Sequence, residues 1–472
     1  MLLLGAVALT GGSARADVSS LIVLRPLSGV ILALALAFAS FGHLRPYRSL
    51  LLVLVGAVGL LLLHLVPLPP EVWRALPGRG LLSEIDSAAG LGEIWRPLSA
   101  DPLMTRNALW SMFVPLAALV LAAQLDERDS HRTLVIVLGL GVVSGVLGVM
   151  QFAGGPSSSL YTYDITNNGF AVGLFANRNH QAIFLATLFP LIAAYSANGR
   201  RDGRDRNQRI IGTLAVAAMF VPTILATGSR AGLLGAALGI AGAAILLVPV
   251  VRKEPTARRG KKWPRWWLPA AIGAIFILLS IMFVGLSQGN AFDRLVAGEE
   301  GATELRWSFW EVSLDAARAF FPIGAGIGSF VRVFQAFEPD ELLALTYVNH
   351  AHNDYVELLL DGGIPAVALA AAALLIVARD SWRVWFVKSE STRVVLGRAA
   401  SIGLITLAAA SAVDYPLRTP LLAAIACLYA VWLRRGALAA RDPAAVRSHP
   451  GSEGRSPRSE RSRGRRRAHA HR

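Results

Sequence analysis

Long apolar runs dominate the sequence and leave few folds open to it. Stretches at 27–42, 50–66, 109–125, 133–152, 180–196, 209–226, 231–251, 267–286, 358–378, 399–415 and 417–433 are almost free of charge. Their lengths approach the roughly 20 residues that carry an α-helix across a bilayer. A twelfth stretch, 1–10, reads as an incomplete span. The composition agrees: 16% of residues are charged and 54% hydrophobic, where a soluble domain carries about a quarter charged. The predicted fold is therefore all-α, a polytopic transmembrane helical bundle of about 11–12 spans. Its single cysteine, Cys427, lies inside an apolar run, which excludes an intrachain disulfide and any multi-cysteine metal site.

Charge sets the topology. Basic segments at 197–209, 252–266, 379–398 and 434–472 all fall on one side when the spans are counted, and the positive-inside rule makes that side cytoplasmic. It collects 33 of the 46 Lys and Arg with 11 acids, leaving 13 Lys and Arg with 20 acids outside. A net charge of +15 would suggest a nucleic-acid partner in a soluble protein; here its placement assigns it to orientation, and no nucleic acid is expected. The chain divides into transmembrane helices over 1–286, a large outer loop over 287–357, further transmembrane helices over 358–433, and a basic, disordered cytoplasmic tail over 434–472. In the outer loop Trp307, Trp310, Val312, Leu314 and Phe321 recur at helical spacing until Pro322, so short helices are expected there. Residues 2–10 also resemble the apolar core of a signal peptide, with Ala14-Arg15-Ala16 as a small-residue cleavage site. The basic segment that precedes such a core is missing, and the alternation of sides requires a crossing there instead.

Ionisable groups outside the basic loops gather near the outer face: Arg178, His180, Arg230, Arg306, Glu311, His350, His352, Asp354, Glu357, Asp414 and Arg418. Asn353 is suited to cap the helix that becomes the 358–378 span, with Asp354 and Glu357 complementing the helix dipole in its first turn. That accounts for the acids and the asparagine, and leaves two histidines before a helix at the membrane edge. The positive end of the helix favours a neutral imidazole at His352, the state a general base needs, while the nearby acids oppose it. His350, His352 and Asp354 also alternate as metal ligands on a strand would, without a further ligand at typical spacing; both histidines could equally serve as interfacial hydrogen-bonding groups. In Thr227-Gly228-Ser229-Arg230-Ala231-Gly232 a short turn joins two spans. Ser229 can cap the second, whose free N–H groups beside Arg230 would form an anion site. Arg230 snorkelling to headgroups is the alternative. Arg306, beside Trp307 and four residues before Trp310, is either a second phosphate clamp or an arginine resting on an aromatic belt. Gly-Ala-Gly-Ile-Gly-Ser at 324–329 has no preceding strand and reads as a turn rather than a dinucleotide fingerprint.

Asn-Arg-Asn-His at 177–180, the 227–232 turn, Arg306 with Trp310, His352 through Pro365, and 411–420 together resemble the O-antigen ligase and polymerase superfamily of bacterial envelope polysaccharide assembly. The His-Asn pair followed by nine residues and a glycine runs from His352-Asn353 to Gly363; the ligase form closes on another glycine, and here that position is Ala366. The resemblance implies a metal-independent glycosyltransferase of the bacterial inner membrane, without a cofactor. Its donor would be an undecaprenyl-diphosphate-linked glycan, and its acceptor lipid A-core or another glycan at the periplasmic face. It makes His352 the base and Arg230 and Arg306 the diphosphate ligands, with Arg178, His180, His350, Asn353, Asp354, Glu357, Asp414 and Arg418 as possible substrate contacts. A repeat-unit polymerase of the same fold is the alternative. A transporter without chemistry would place its charges near the midplane and often repeat internally; no internal repeat is visible.

Overall fold

The computed structural model describes residues 1–91, 93–197, 203–252, 300–389 and 391–441. It is built of helices: α1 (Leu2–Thr10), α2 (Leu21–Ala37), α3 (Phe41–Leu44), α4 (Arg48–His64), α5 (Pro70–Arg74), α6 (Gly80–Ala88), α7 (Pro102–Ser111), α8 (Phe113–Gln124), α9 (Glu127–Ala153), α10 (Arg178–Ala197), α11 (Gly203–Ala226), α12 (Arg230–Arg252), α13 (Glu300–Ala319), α14 (Phe330–Phe337), α15 (Asp354–Trp385), α16 (Thr392–Ala410) and α17 (Pro420–Ala439). The β-structure among the described residues is one antiparallel pair of two-residue strands, Pro67–Leu68 with Arg96–Pro97. Among the described residues eight helical segments are long and apolar enough to cross a membrane, and α2 and Gly212–Ala226 are shorter apolar helices. The protein is an all-α, polytopic helical bundle. The predicted span 267–286, the basic segment 253–266 and the tail beyond Arg441 lie outside the described residues.

Apolar patterning located the helices, and local chemistry moved their ends. α2 starts six residues ahead of the predicted 27–42 run and carries Pro26 inside it. α15 is 32 residues long, starting at the Asn353 cap and continuing past the predicted run to Trp385. α10 is the axis of the bundle, with every residue from His180 to Ala194 buried. α12 lies parallel to it along a seam of glycines: a Cβ at Gly232, Gly235 or Gly239 would overlap Ala182, Ile183 or Ala186. Backbones approach this closely in membrane bundles where small residues line the interface. α1 packs into the same core through Leu3 and Val7, and the segment after it is pinned by Leu421 N–H donating to Gly11 O and Gly12 N–H donating to the Tyr163 hydroxyl.

The two ends of the bundle differ in chemistry. At one end Asp380 pairs with Arg379, Arg383 and Arg434, and the Arg435 guanidinium donates to Tyr47, Ser130 and the last carbonyls of α8. At the other end lie the 227–229 turn, the 411–419 connection and the segment joining α13 to α15.

That segment has a core of its own, made by Ala316, Phe320, Phe330, Val333, Phe334, Ala351 and Leu360. The 324–329 stretch is a turn, as its composition predicted, with Gly324, Gly326 and Gly328 all at positive φ. It docks on α15 through Ala325 N–H to Leu360 O and Gly326 N–H to Asp361 O, and the Asp361 carboxylate accepts from Gly328 N–H. α15 breaks at Gly363, whose φ of 56° and ψ of −152° belong to a region essentially closed to other residues. The break lets Ile364 N–H donate to Pro322 O, and a Cβ at Gly363 would collide with that same carbonyl. Gly363→Ala is therefore expected to lower the thermal unfolding midpoint of the purified protein markedly: backbone strain alone costs about 1–3 kcal/mol. An unchanged midpoint would mean that the turn does not dock on α15 in this way.

Candidate functional site

The site is organised around the N-terminus of α15. Asn353 caps the helix as predicted, its Oδ1 accepting from Tyr355 N–H and Val356 N–H. Two residues earlier Ala351 is fully buried and held from both sides: its N–H donates to Glu357 Oε2 at 3.0 Å, and its carbonyl accepts from Trp310 Nε1 at 2.8 Å. With the chain fixed at Ala351 and capped at Asn353, His352 between them takes a φ of 50°. Among the described residues no other non-glycine has positive φ. Such backbone conformations are unfavourable and persist where the surroundings over-determine them, as at functional sites.

Polar side chains crowd around His352. The His352 Nδ1 lies 3.4 Å from Asp414 Oδ1, and Asp414 is buried and also faces the side chain of Asn179. At that distance the His352–Asp414 contact is a polar contact looser than a formed hydrogen bond. Burial alone would raise the Asp414 carboxyl, but the close approach of His352 and the neighbouring imidazole of His180 outweigh it and hold it below the usual carboxylate range. His350 Nδ1 lies 2.9 Å from Glu357 Oε1. Glu357 and Asp354 share Arg418, at 3.0 and 2.9 Å, and Ser411 O accepts from Asp354 N–H. The Arg418 cation is held above its ordinary range: desolvation opposes this, and the charges of Glu357, Asp354 and Asp361 outweigh it.

Several predicted contacts thus form the supporting frame. His180 is buried, its Nδ1 2.9 Å from Thr419 Oγ1; Glu357 and Asp414 are 1% exposed. The side chain of His352 keeps 23% of its surface. The His350, His352 and Asp354 alternation is dispersed, each side chain turning to a different partner, and among the described residues no three His, Cys, Asp or Glu side chains converge as a metal-ligand set.

The second half of the site is the end of α10 and α12. Ser229 Oγ accepts from Gly232 N–H at 2.9 Å, capping α12 as predicted, and Arg230 in its first turn is exposed. Arg178 lays its guanidinium over the Phe170 ring at 4.4 Å and against Gly228, whose φ is 60°. Because Asn179 follows Arg178 and faces Asp414, the α12 turn and the His352 loop belong to one end of the bundle. Arg306 lies on α13 one turn before Trp310, the residue that holds the Ala351 carbonyl; its side chain lies outside the described set.

Tyr415 is the central residue that sequence reasoning missed. Its ring centroid is 4.2 Å from that of His350, 5.1 Å from His352 and 5.2 Å from His180, and its hydroxyl meets the side chains of Asn177 and Asn349. Burial raises its phenol above the ordinary value. Its adjacency to Asp414 within the 411–420 motif was the one available signal.

Comparison with known proteins matches residues 214–371 to the O-antigen ligase family model. The match takes in Arg230, Arg306 and the whole His350–Gly363 segment, and stops short of Asp414 and Arg418. The teichuronic acid biosynthesis protein TuaE of Bacillus subtilis (strain 168) is 27% identical over 219 residues, which is 44% of this chain and 40% of the relative's length. The chain is thus similar to the O-antigen ligase family over residues 214–371, about a third of its length, and spans less than half the length of the curated relative it matches.

Proposed function

We propose that the protein is a glycosyltransferase that moves a glycan from an undecaprenyl-diphosphate carrier to an acceptor hydroxyl at the periplasmic face of the inner membrane, with lipid A-core as the acceptor. The observation that carries this reading is the His352–Asp414 pair on a strained loop beside a capped helix end with an exposed arginine. Asp414 engages Nδ1, which leaves Nε2 as the nitrogen available to a substrate. The acceptor hydroxyl gives its proton to Nε2 as its oxygen bonds to the anomeric carbon. The bond from that carbon to the diphosphate breaks, and undecaprenyl diphosphate leaves with the electron pair. Inversion at the anomeric carbon follows if the attack is direct. Arg230, Arg306 and the N–H groups of α12 take up the charge on the leaving group, a task two guanidinium groups can perform without a metal. His350, Glu357, Arg418, Tyr415 and His180 hold the loop and the pair in place.

A repeat-unit polymerase, in which the acceptor is a second carrier-linked glycan, is favoured by Ala366 at the position where the ligase pattern has glycine. Deleting the gene and analysing the envelope glycans separates the two. Accumulation of full-length unligated glycan supports the ligase; collapse to single repeat units supports the polymerase; unchanged glycans defeat both.

The site end is assigned to the periplasm because the opposite end carries the arginine-rich cluster around Asp380 and Arg435. Fusions of a periplasm-active reporter at Ala297 are expected to be active and fusions after Arg447 inactive. Activity restricted to the Arg447 fusion would place the site on the wrong side for a lipid-linked donor exposed to the periplasm.

A further inference from the structure

A second polar group sits where an apolar helix should have none. Arg25 lies one turn into α2, whose Ile22, Val23, Val30 and Leu34 are all exposed as a membrane-facing surface would be. An arginine inside such a helix is costly unless it has a partner or a task. Its Nη2 reaches Ser111 Oγ at only 3.4 Å, and its Nε is buried without a hydrogen-bond partner among the described residues. Among the described residues no acid pairs with it: Asp17, lining the same cavity, is already paired with Arg15 at 2.6 Å, and Arg15 in turn reaches the Tyr347 hydroxyl at 3.2 Å. The guanidinium lines an open cavity of 570 Å³ between α2 and the α7–α8 junction. The cavity is walled by Pro26, Leu21, Trp110 and Phe113, with the two aromatic rings 5.5 Å apart. One turn further along α2, Gly29 lets the helix approach the Phe113 ring closely.

We infer that this cavity is a binding site for the phosphate of a membrane lipid, with Arg25 as the phosphate ligand and Trp110 and Phe113 as the wall along which the lipid chain lies. The chemistry fits both ends of such a molecule. A guanidinium with unused donors takes phosphate oxygens, aromatic rings at this depth suit the boundary between headgroup and chain, and the volume lies in the range of small-ligand pockets. The depth fits as well: Arg25 is about 6 Å below the first residue of α2 at the helical rise, at the level where arginines reach lipid phosphates. The site is separate from the His352 loop and does not depend on the transfer reaction proposed above.

Native mass spectrometry of the protein in nanodiscs of phosphate-free digalactosyldiacylglycerol, doped in turn with phosphatidylglycerol, undecaprenyl phosphate or diacylglycerol, tests it, with release of the protein and counting of retained lipid. The wild type is expected to retain a phosphate-bearing dopant and not diacylglycerol. Arg25→Gln is expected to lower that retention about tenfold, the effect of one lost charge-assisted contact. Ser19→Trp, which leaves Arg25 in place and fills the cavity mouth, is expected to lower it likewise, and supplies the readout should Arg25→Gln fail to fold. Preference for phosphatidylglycerol would identify a bulk lipid as the occupant, and preference for undecaprenyl phosphate a docking point for the carrier. Equal retention of diacylglycerol, or wild-type retention in folded Arg25→Gln or Ser19→Trp, overturns the inference.

Discussion

His352→Ala is expected to insert normally and bind the glycan donor, yet transfer glycan more slowly by on the order of 10²–10⁴, the contribution of a positioned general base. The site geometry explains why this substitution should spare the fold. Neighbouring Ala351 is held by Glu357 and Trp310, and Asn353 keeps its cap, so none of these bonds uses the imidazole. Removing the side chain should therefore leave the loop standing. His350→Ala should be milder, because its ring contacts Glu357 in the frame, and Glu357 keeps Arg418 and the Ala351 N–H as partners.

Asp414→Asn tests the pair from its other side. The carboxylate acts through His352, so its loss should lower kcat while leaving the KM for the donor unchanged; a merely structural role would raise KM and lower thermal stability together. The same assay separates base from metal ligand. The wild-type rate in detergent or nanodiscs should be unaffected by a chelator, since His350, His352 and Asp354 each turn to a different protein partner. Loss on chelation restored by zinc would favour the metal reading, and wild-type transfer by His352→Ala would remove the base assignment altogether.

What could be read in the sequence was whatever depends on neighbours a few residues apart. The Asn353 and Ser229 caps, the glycine turn at 324–329 and the positions of the apolar helices all rest on spacings of up to one helical turn or on run length, and those that fall on the described residues are present. What escaped depends on contacts between distant segments. Asp414 is 62 positions from His352 in the chain, and nothing local distinguishes a carboxylate that backs an imidazole from one that contacts substrate. Tyr415 looks like a helix-end tyrosine until three histidines from two other segments converge on it. Gly363 was visible as part of a pattern, whereas its reason, a break in α15 that meets the Pro322 carbonyl, needs the docked turn. Arg25 lies just ahead of the apolar run at 27–42, whereas the helix begins at Leu21 and includes it.

Arg230→Ala is expected to lose on the order of 10²–10³ in transfer rate, the scale of removing one preorganised donor from developing charge, and Arg306→Ala a comparable amount. Arg230 is the more telling of the two. It is exposed in the first turn of a helix whose cap is already satisfied by Ser229, so replacing it should leave α12, packed on α10 through Gly232, Gly235 and Gly239, undisturbed. A loss of activity can then be assigned to the guanidinium itself. Lysine supplies the same charge as a point donor without the two-pronged geometry that matches phosphate oxygens. Arg230→Lys should therefore recover little of the lost rate, and what it recovers should vanish as salt is raised, because an exposed point charge is screened within about 8–10 Å at 0.1–0.15 M ionic strength. Full activity in Arg230→Lys would leave charge alone as the requirement. Full activity in Arg230→Ala would take the residue out of the mechanism and leave Arg306, with the free N–H groups of α12, as the remaining partners for the diphosphate.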